Sequence, residues 1–315
     1  MNTPICDFVR DYAARRPDRL HMPGHKGRGE AEQLDITEIT GADVLYHPRG
    51  IILESEKNAA ALFGSRRTVY SAEGSSLSIR AMVFLAMQDA RKRGKTPRIA
   101  AGRNAHKVFI TAAALLDVQV QWLYPARTGS LLTCQITPET LEEALGQGEP
   151  VTAVYITSPD YLGNVADISG LSRVCRRYGC LLLVDNAHGA YLGFLPGGQH
   201  PMAQGADMCC DSAHKTLPVL TGGGYLHISS HAPGELDSMA DSAMALFAST
   251  SPSYLILQSL DAANGILDGS WKRALHQAVI EWAAVKRHIG DLGFCLTGQE
   301  PLKLTVMPKQ YGYTG

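Results

Sequence analysis

The chain has 315 residues, of which 45% are hydrophobic and 19% charged, a length and composition suited to one large domain, or one and a half, around a sizeable core. Its 29 basic and 30 acidic residues leave a formal net charge of -1, without the basic surplus of a nucleic-acid binder. Seven cysteines, odd in number and without CxxC spacing, point to reduced core thiols of a cytoplasmic protein; the charged start Cys6-Asp7-Phe8-Val9-Arg10 is no secretory signal, and no apolar run approaches a membrane span.

Residues 4 to 17 read as an amphipathic helix with Ile5, Phe8, Val9 and Tyr12 on one face and Pro17 as its stop. His21 and His25 stand four apart, a spacing that raises metal binding. Pro23 and Gly24 between them oppose the helix that would align the rings, and no third ligand is evident, so no metal is expected. Residues 35 to 53 are loop-like. Residues 54 to 63 form a helix that Gly64 closes.

Val69-Tyr70-Ser71-Ala72-Glu73-Gly74-Ser75-Ser76 leads into an apolar-periodic helix over 77 to 91. A Gly-Ser-Ser turn at a helix start offers free N–H groups, two hydroxyls and the positive end of the helix dipole, which suits a phosphate. The plainer reading is a serine N-cap. A strand at 98 to 101 is followed by Arg103-Asn104-Ala105-His106-Lys107 and a helix to about 116, where His106 reads, at its simplest, as a buried, satisfied histidine. A strand at 118 to 123 and a helix at 138 to 145 precede a strand at 152 to 157. That strand ends in Ser158-Pro159-Asp160, whose carboxylate either meets a ligand or caps the next segment.

A helix at 168 to 178 precedes Leu181-Leu182-Leu183-Val184-Asp185, an aliphatic run that delivers a carboxylate at its end, as a buried parallel strand does. The following Asn186-Ala187-His188 completes a DEAH-like box. A helicase reading needs a Gly-x-x-x-x-Gly-Lys-Ser/Thr loop, which the chain lacks. The strand 206 to 211 feeds Ser212-Ala213-His214-Lys215-Thr216, and three glycines lead into a strand at 224 to 228. Beyond residue 230 the pattern is helical. Thr250-Ser251-Pro252-Ser253-Tyr254 reads as a helix start with a Ser cap and Pro in the first turn. A long helix over 271 to 290, a strand at 302 to 306 and the tail Tyr311 to Gly315 complete the chain.

This alternation predicts an α/β protein of three layers, a mostly parallel sheet with helices on both faces. Every candidate residue falls at a strand's C-terminal end or before or at a helix's N-terminal end. A lysine just past a buried strand pays a desolvation penalty unless it is paired or neutral. The plain reading is a lysine that snorkels to water. The alternative is a Schiff base with an aldehyde, which pyridoxal 5'-phosphate (PLP) supplies. Asp185 is then the partner of its protonated ring nitrogen.

Asp185-x-Ala187-His188 followed by Ser212-Ala213-His214-Lys215-Thr216-Leu217-Pro218 resembles the ornithine/lysine/arginine decarboxylases of the aspartate-aminotransferase fold. The resemblance extends through His21-Met22-Pro23-Gly24-His25-Lys26, Asp35-Ile36-Thr37-Glu38, His47-Pro48-Arg49-Gly50, Arg103 to Lys107 and Thr250 to Tyr254. It implies PLP-dependent decarboxylation of a basic amino acid to a polyamine-type amine, with arginine or lysine ranked ahead of ornithine. Lys215 then holds the cofactor. Gly74, Ser75, Ser76 and Ser212 meet its phosphate, His106 stacks on its ring, Asp185 pairs with its nitrogen, and Ala187 and His188 lie beside it. Lys215, His214 or His106 returns the proton. Glu73 stands where many relatives carry Asn, Asn186 where a Glu is frequent, and Asp160 where Thr is common.

The resemblance also implies a homodimer in which Ser251 reaches the partner subunit's phosphate and the N-terminal arm packs near the site. It divides the chain into an arm (1–50), a PLP-binding major domain (51–265) and a connecting helix with the start of a C-terminal domain (266–315), apparently cut short. The receiver-like wing of larger relatives is absent, so their higher-order rings are not expected. Two other readings use the same residues: a truncated homologue that binds PLP or dimerises without turnover, and a transaminase of the same fold.

Overall fold

The computed structural model describes residues 1–126 and 131–313. In chain order the elements are α1 (Pro4–Ala14), α2 (Glu30–Leu34), α3 (Ile51–Phe63), β1 (Arg67–Ser71), α4 (Gly74–Lys92), β2 (Arg98–Gly102), α5 (Lys107–Leu115) and β3 (Gln119–Leu123). They continue with α6 (Pro138–Gln147), β4 (Ala153–Thr157), α7 (Ile168–Tyr178), β5 (Leu181–Asp185), α8 (Pro201–Gln204), β6 (Met208–Asp211), α9 (Ala213–Thr216) and β7 (Gly224–Ile228). Helices α10 (Glu235–Ala245), α11 (Tyr254–Asp268) and α12 (Trp271–Asp291) and the short strands β8 (Leu296–Thr297) and β9 (Thr305–Val306) follow.

Seven strands form one sheet in the order β1-β7-β6-β5-β4-β2-β3. The five strands from β3 to β6 are parallel, and β7 runs antiparallel between β6 and β1. The mostly parallel three-layer sheet expected from the sequence is therefore present. Strand alternation sorts the core into the two faces. Val69, Tyr155, Leu183, Met208, Cys210 and Leu226 pack under α4, α5 and α10. Val154, Ile156, Leu182, Val184 and Cys209 pack under α6 and α7. Tyr70 and Tyr225 face α3 and α11, where Ile5 and Val9 of α1 join the same core. Each such fully buried aliphatic side chain contributes roughly 1.5–3 kcal/mol. Six of the seven cysteines are buried and all are free. Among the described residues no helix is long and apolar enough to cross a membrane.

The differences from expectation are local. Helix α3 starts at Ile51, three residues early, and Gly64 caps it in the left-handed region at φ 67°. Helix α4 starts at Gly74, so Ser75 and Ser76 lie inside its first turn. The cap residue is Glu73, and the serine N-cap reading is corrected. Helix α11 starts at Tyr254 with Ser253 at the cap position and no side-chain cap bond, so Pro252 precedes the helix instead of entering its first turn. The strand expected at 302 to 306 shrinks to a two-residue pairing of β9 with β8. The tail's last two residues, 314 and 315, lie outside the described residues.

Candidate active site

The sheet order turns at β4, whose neighbours are β2 and β5, and ligands of open α/β sheets gather at the strand C-termini beside such a point. A cavity of about 390 Å³ lies there. It is lined by Gly74, Ser75, Ser76, His106, Asp185, Ala187, His188, Ser212, His214 and Lys215, brought together from β1–α4, β2–α5, β5 and β6–α9. Ser251 does not line it. That residue is exposed in the segment before α11, which Glu73 tethers by accepting the Ser249 N–H at 2.7 Å.

At one end the nineteen-residue helix α4 points its N-terminus into the cavity. Gly74 has φ 67° and its N–H donates to the carbonyl of Gly222, while the first-turn amides of Ser75 and Ser76 have no intrahelical acceptor. The Ser212 hydroxyl lies 2.7 Å from that of Ser75. Gly224 is required beneath them, because a Cβ there would come within 3.0 Å of Gly74 C and 3.1 Å of Ser75 N. Backbone donors, two buried hydroxyls and the positive helix end make a cradle for a phosphate.

At the other end Asp185 is buried at the tip of β5. Its carboxylate accepts the Tyr155 hydroxyl at 2.9 Å and the Ala187 N–H at 3.2 Å. Burial pushes its pKa up, against the pull of those two donors and of the nearby His106 and Lys215 charges. A cationic ring nitrogen is the partner that would offset this cost. The Thr157 hydroxyl, opposite Asp185 in register, is buried with no hydrogen-bond partner among the described residues, and Thr157 lines the cavity. An orphaned polar atom of this kind is expected where a ligand completes the site. These residues fit PLP: a phosphate cradle, a ring-nitrogen carboxylate and a lysine line one cavity.

Lys215 corrects one expectation. It is exposed at the cavity wall rather than sunk beside the sheet, because the four-residue α9 tips it outward. Partial desolvation still pushes its pKa down, against the attraction of Asp185. Its Nζ lies 3.3 Å from His188 Nε2. Burial, then the Lys215 charge, pushes His188 down to about 4, so that imidazole is neutral near pH 7 and accepts from the lysine. His106 is exposed to the cavity, not a buried core histidine. Its Nδ1 accepts the Val108 N–H at 3.3 Å and caps α5, which leaves Nε2 as the ring's N–H. His214 donates from Nδ1 to the Gly223 carbonyl at 3.0 Å.

The other candidates resolve as local structure. Asp160 is buried and accepts from Leu162 N, Asn164 N and Asn164 Nδ2 at 2.9, 2.9 and 2.8 Å, so it caps its own turn. His21 Nε2 lies 2.6 Å from the Tyr12 hydroxyl and His25 Nε2 3.2 Å from Asp35, each committed to its own partner. Tyr155, Thr157, Thr221 and Gly222 are site residues that sequence reading missed. The aromatic inside the buried strand β4 and the Thr at its C-terminal end were the only signals for the first two.

Comparison with known proteins gives the same reading. The family model for the Orn/Lys/Arg decarboxylase major domain matches residues 3–292. An uncharacterised protein of Bacillus subtilis, YaaO, is 33% identical, with 100% of this chain and 68% of the relative covered. An arginine decarboxylase of Bacillus anthracis is 29% identical, with 99% and 67% covered. The solved constitutive lysine decarboxylase of Escherichia coli superposes with a TM-score of 0.74 at 21% identity, over 92% of this chain and 44% of that one. The chain thus spans about two thirds of those curated relatives and less than half of the solved enzyme, and the structural likeness shows a shared fold. With its matched model covering nearly the whole length, the chain belongs to the Orn/Lys/Arg decarboxylase family.

Proposed function

We propose that this chain binds PLP through Lys215 and decarboxylates a basic amino acid. The observation that carries the reading is that Lys215, Asp185 and the Gly74–Ser76 turn line a single cavity. When bound, PLP supplies an aldehyde that condenses with amines and a ring that takes up the electron pair left at the substrate α-carbon. The lowered pKa of Lys215 leaves a larger share of its Nζ as the neutral amine that such condensation needs. The Asp185 carboxylate would hold the proton of the ring nitrogen, and the first turn of α4 with Ser212 would hold the phosphate.

In the reaction the bond from the α-carbon to the carboxylate carbon breaks, carbon dioxide leaves and a proton takes its place. Lys215 Nζ delivers that proton, with His188 Nε2 accepting a hydrogen bond from it. His106 presents a protonated Nε2 in the same cavity as the second donor. His214, whose Nδ1–H is held by Gly223, steadies the phosphate turn. The substrate class follows the curated arginine decarboxylases among the relatives, and the product is the corresponding polyamine-type amine. The exposed Ser251 beside the Glu73-tethered segment supports a homodimer in which it serves the partner subunit's phosphate. The division into an arm, a major domain and the start of a C-terminal domain, and a cytoplasmic location, complete the proposal.

The test is absorbance of the purified protein after addition of PLP, with Lys215→Ala as control, followed by carbon dioxide release from arginine, lysine and ornithine. A cofactor band that Lys215→Ala abolishes, together with carbon dioxide from one of the three, is the expected result. A band without carbon dioxide, but with oxo-acid formed, means transamination. A band with no turnover means a cofactor-binding homologue. No band overturns the reading.

A further inference from the structure

A second polar cluster lies beside the cavity, sealed from solvent. Asp211, the last residue of β6, is completely buried. Its Oδ2 accepts from His200 Nε2 at 2.9 Å and His227 Nε2 at 3.2 Å, and its Oδ1 accepts from Asn186 Nδ2 at 2.6 Å. His200 Nδ1 accepts the Met202 N–H at 3.3 Å, and His227 Nδ1 lies 2.8 Å from the Thr68 hydroxyl. Each ring therefore uses both nitrogens, with Nε2 as the donor to Asp211. Among the described residues, His200, Cys209 and Asp211 also bring three metal-ligating atoms within 4.8 Å of one another. A cation there would have to displace N–H donors that already complete the carboxylate, so the cluster reads as a hydrogen-bond network.

The place of the network in the sheet gives it a role. The ladder between β5 and β6 ends at Asp185 opposite Cys210, and the Asn186 N–H to Cys210 O bond at 3.0 Å is its last backbone link. From that point the two chains lead on as the two arms of the site, one from Asp185 to Ala187 and His188, and the other from Asp211 to Ser212 and Lys215. The Asn186–Asp211 side-chain bond crosses between the arms at that point. The Asn186 side chain also lies against Gly189, where a Cβ would come within 2.1 Å of Asn186 Oδ1.

We propose that the Asn186–Asp211 hydrogen bond is a clamp that sets the gap between the Asp185 and Lys215 arms, which makes both of its members positioning residues for cofactor capture. The clamp rests on the reading of the cavity as a PLP site. It also accounts for the residue at 186. A glutamate there would put a second carboxylate against the buried Asp211, whereas in this chain the negative charge sits at 211 and the donor at 186.

The test measures the PLP dissociation constant of the cofactor-free protein and the circular dichroism of the bound cofactor's absorption band, which reports its orientation. Asn186→Ala and Asp211→Asn each weaken PLP by about tenfold, the loss of one charge-assisted hydrogen bond, and alter the dichroic band. Asn186→Glu alone weakens it further. The double variant Asn186→Glu/Asp211→Asn, which restores a carboxylate–carboxamide pair in the opposite sense, recovers both signals. Unfolding midpoints of the cofactor-free proteins serve as the structural control. Lower midpoints with unchanged affinity and unchanged dichroism overturn the clamp, as does a double variant no better than the weaker single. If Asp211→Asn does not fold, Asn186→Ala, which leaves Asp211 its two imidazoles, decides alone. Single variants that bind like the parent remove only the clamp. A parent that takes up no PLP removes the cofactor reading and the clamp with it.

Discussion

Lys215 Nζ lies 3.3 Å from His188 Nε2, and the two side chains approach the cavity from adjacent strand ends. The contact works only while the imidazole is neutral, because a protonated ring would face the ammonium without an acceptor. Burial and the Lys215 charge hold His188 at about 4 in the folded protein, against an ordinary value near 6.5. A histidine depressed on folding contributes its full stability above the unfolded value. That contribution drains as pH falls through the window from 6.5 to about 4 and is flat below it. The parent protein should therefore lose more stability between pH 7 and pH 4.5 than His188→Asn does. Urea unfolding midpoints of the two proteins at three pH values in this range check it, and parallel midpoints would contradict it. The lowered pKa of Lys215 adds a kinetic counterpart: PLP capture by the cofactor-free protein should show a pH midpoint below about 10.4.

Asp185 depends on Tyr155. The hydroxyl donates to the carboxylate at 2.9 Å inside a fully buried site, and it opposes the upward push of burial on the Asp185 pKa. Tyr155→Phe removes that donor, so Asp185 ionises at a higher pH. On the acid limb, where both the Asp185 carboxyl and the ring nitrogen of PLP carry protons and binding releases one, PLP affinity should rise with pH along a curve displaced to higher pH relative to the parent. The same change should lower the stability of the cofactor-free protein by about 1–2 kcal/mol. Dissociation constants measured across pH provide the check, and coincident curves would separate Tyr155 from the titration of Asp185.

Gly224 ties the proposed phosphate cradle to the sheet. It opens β7 against the first turn of α4, and an added Cβ would meet Asp211 O at 2.9 Å as well as Gly74 C at 3.0 Å and Ser75 N at 3.1 Å. All three are backbone atoms in buried surroundings, so none can swing aside as a long side chain does. Gly224→Ala should destabilise the protein by about 1–3 kcal/mol and weaken inorganic phosphate or PLP binding, because the helix start must move. Calorimetric midpoints and a PLP titration measure both effects, and a variant with parental affinity would show that the turn adapts.

Local chemistry makes much of this site legible in the sequence. Leu181 to Val184 form an unbroken apolar run, so a carboxylate at 185 reads as the tip of a buried strand, and β5 ends there. Likewise Gly74-Ser75-Ser76 ahead of a long periodic helix reads as an anion-binding start, although the sequence could not show that Glu73, not a serine, takes the cap position. What stayed hidden depends on strand order. Tyr155 meets Asp185, and Asn186 meets Asp211, because β4, β5 and β6 are adjacent in register, and no local pattern encodes that adjacency. The exposure of Lys215 was missed for a similar reason. Hydropathy shows that β6 is buried, but not that a single turn of helix after it points the lysine into a cavity. Asp160 was ambiguous because a turn cap and a ligand contact ask for the same carboxylate.

Thr157 offers a case in which stability and binding should move in opposite directions. Its hydroxyl is buried at the end of β4, across from Asp185, with no hydrogen-bond partner among the described residues. A buried hydroxyl left unpaired costs about 1–3 kcal/mol, a penalty that valine of nearly the same shape does not carry. Thr157→Val should therefore stabilise the cofactor-free protein by about 1 kcal/mol, since a strand position also favours the β-branched apolar side chain. If the hydroxyl is there to meet the bound cofactor, the same substitution should weaken PLP by about tenfold, the value of one hydrogen bond withdrawn from a desolvated site. Urea unfolding without cofactor and a PLP titration give the two numbers independently. Stabilisation with unchanged affinity would assign Thr157 to packing alone, and a loss of stability would mean that a water molecule already satisfies its hydroxyl.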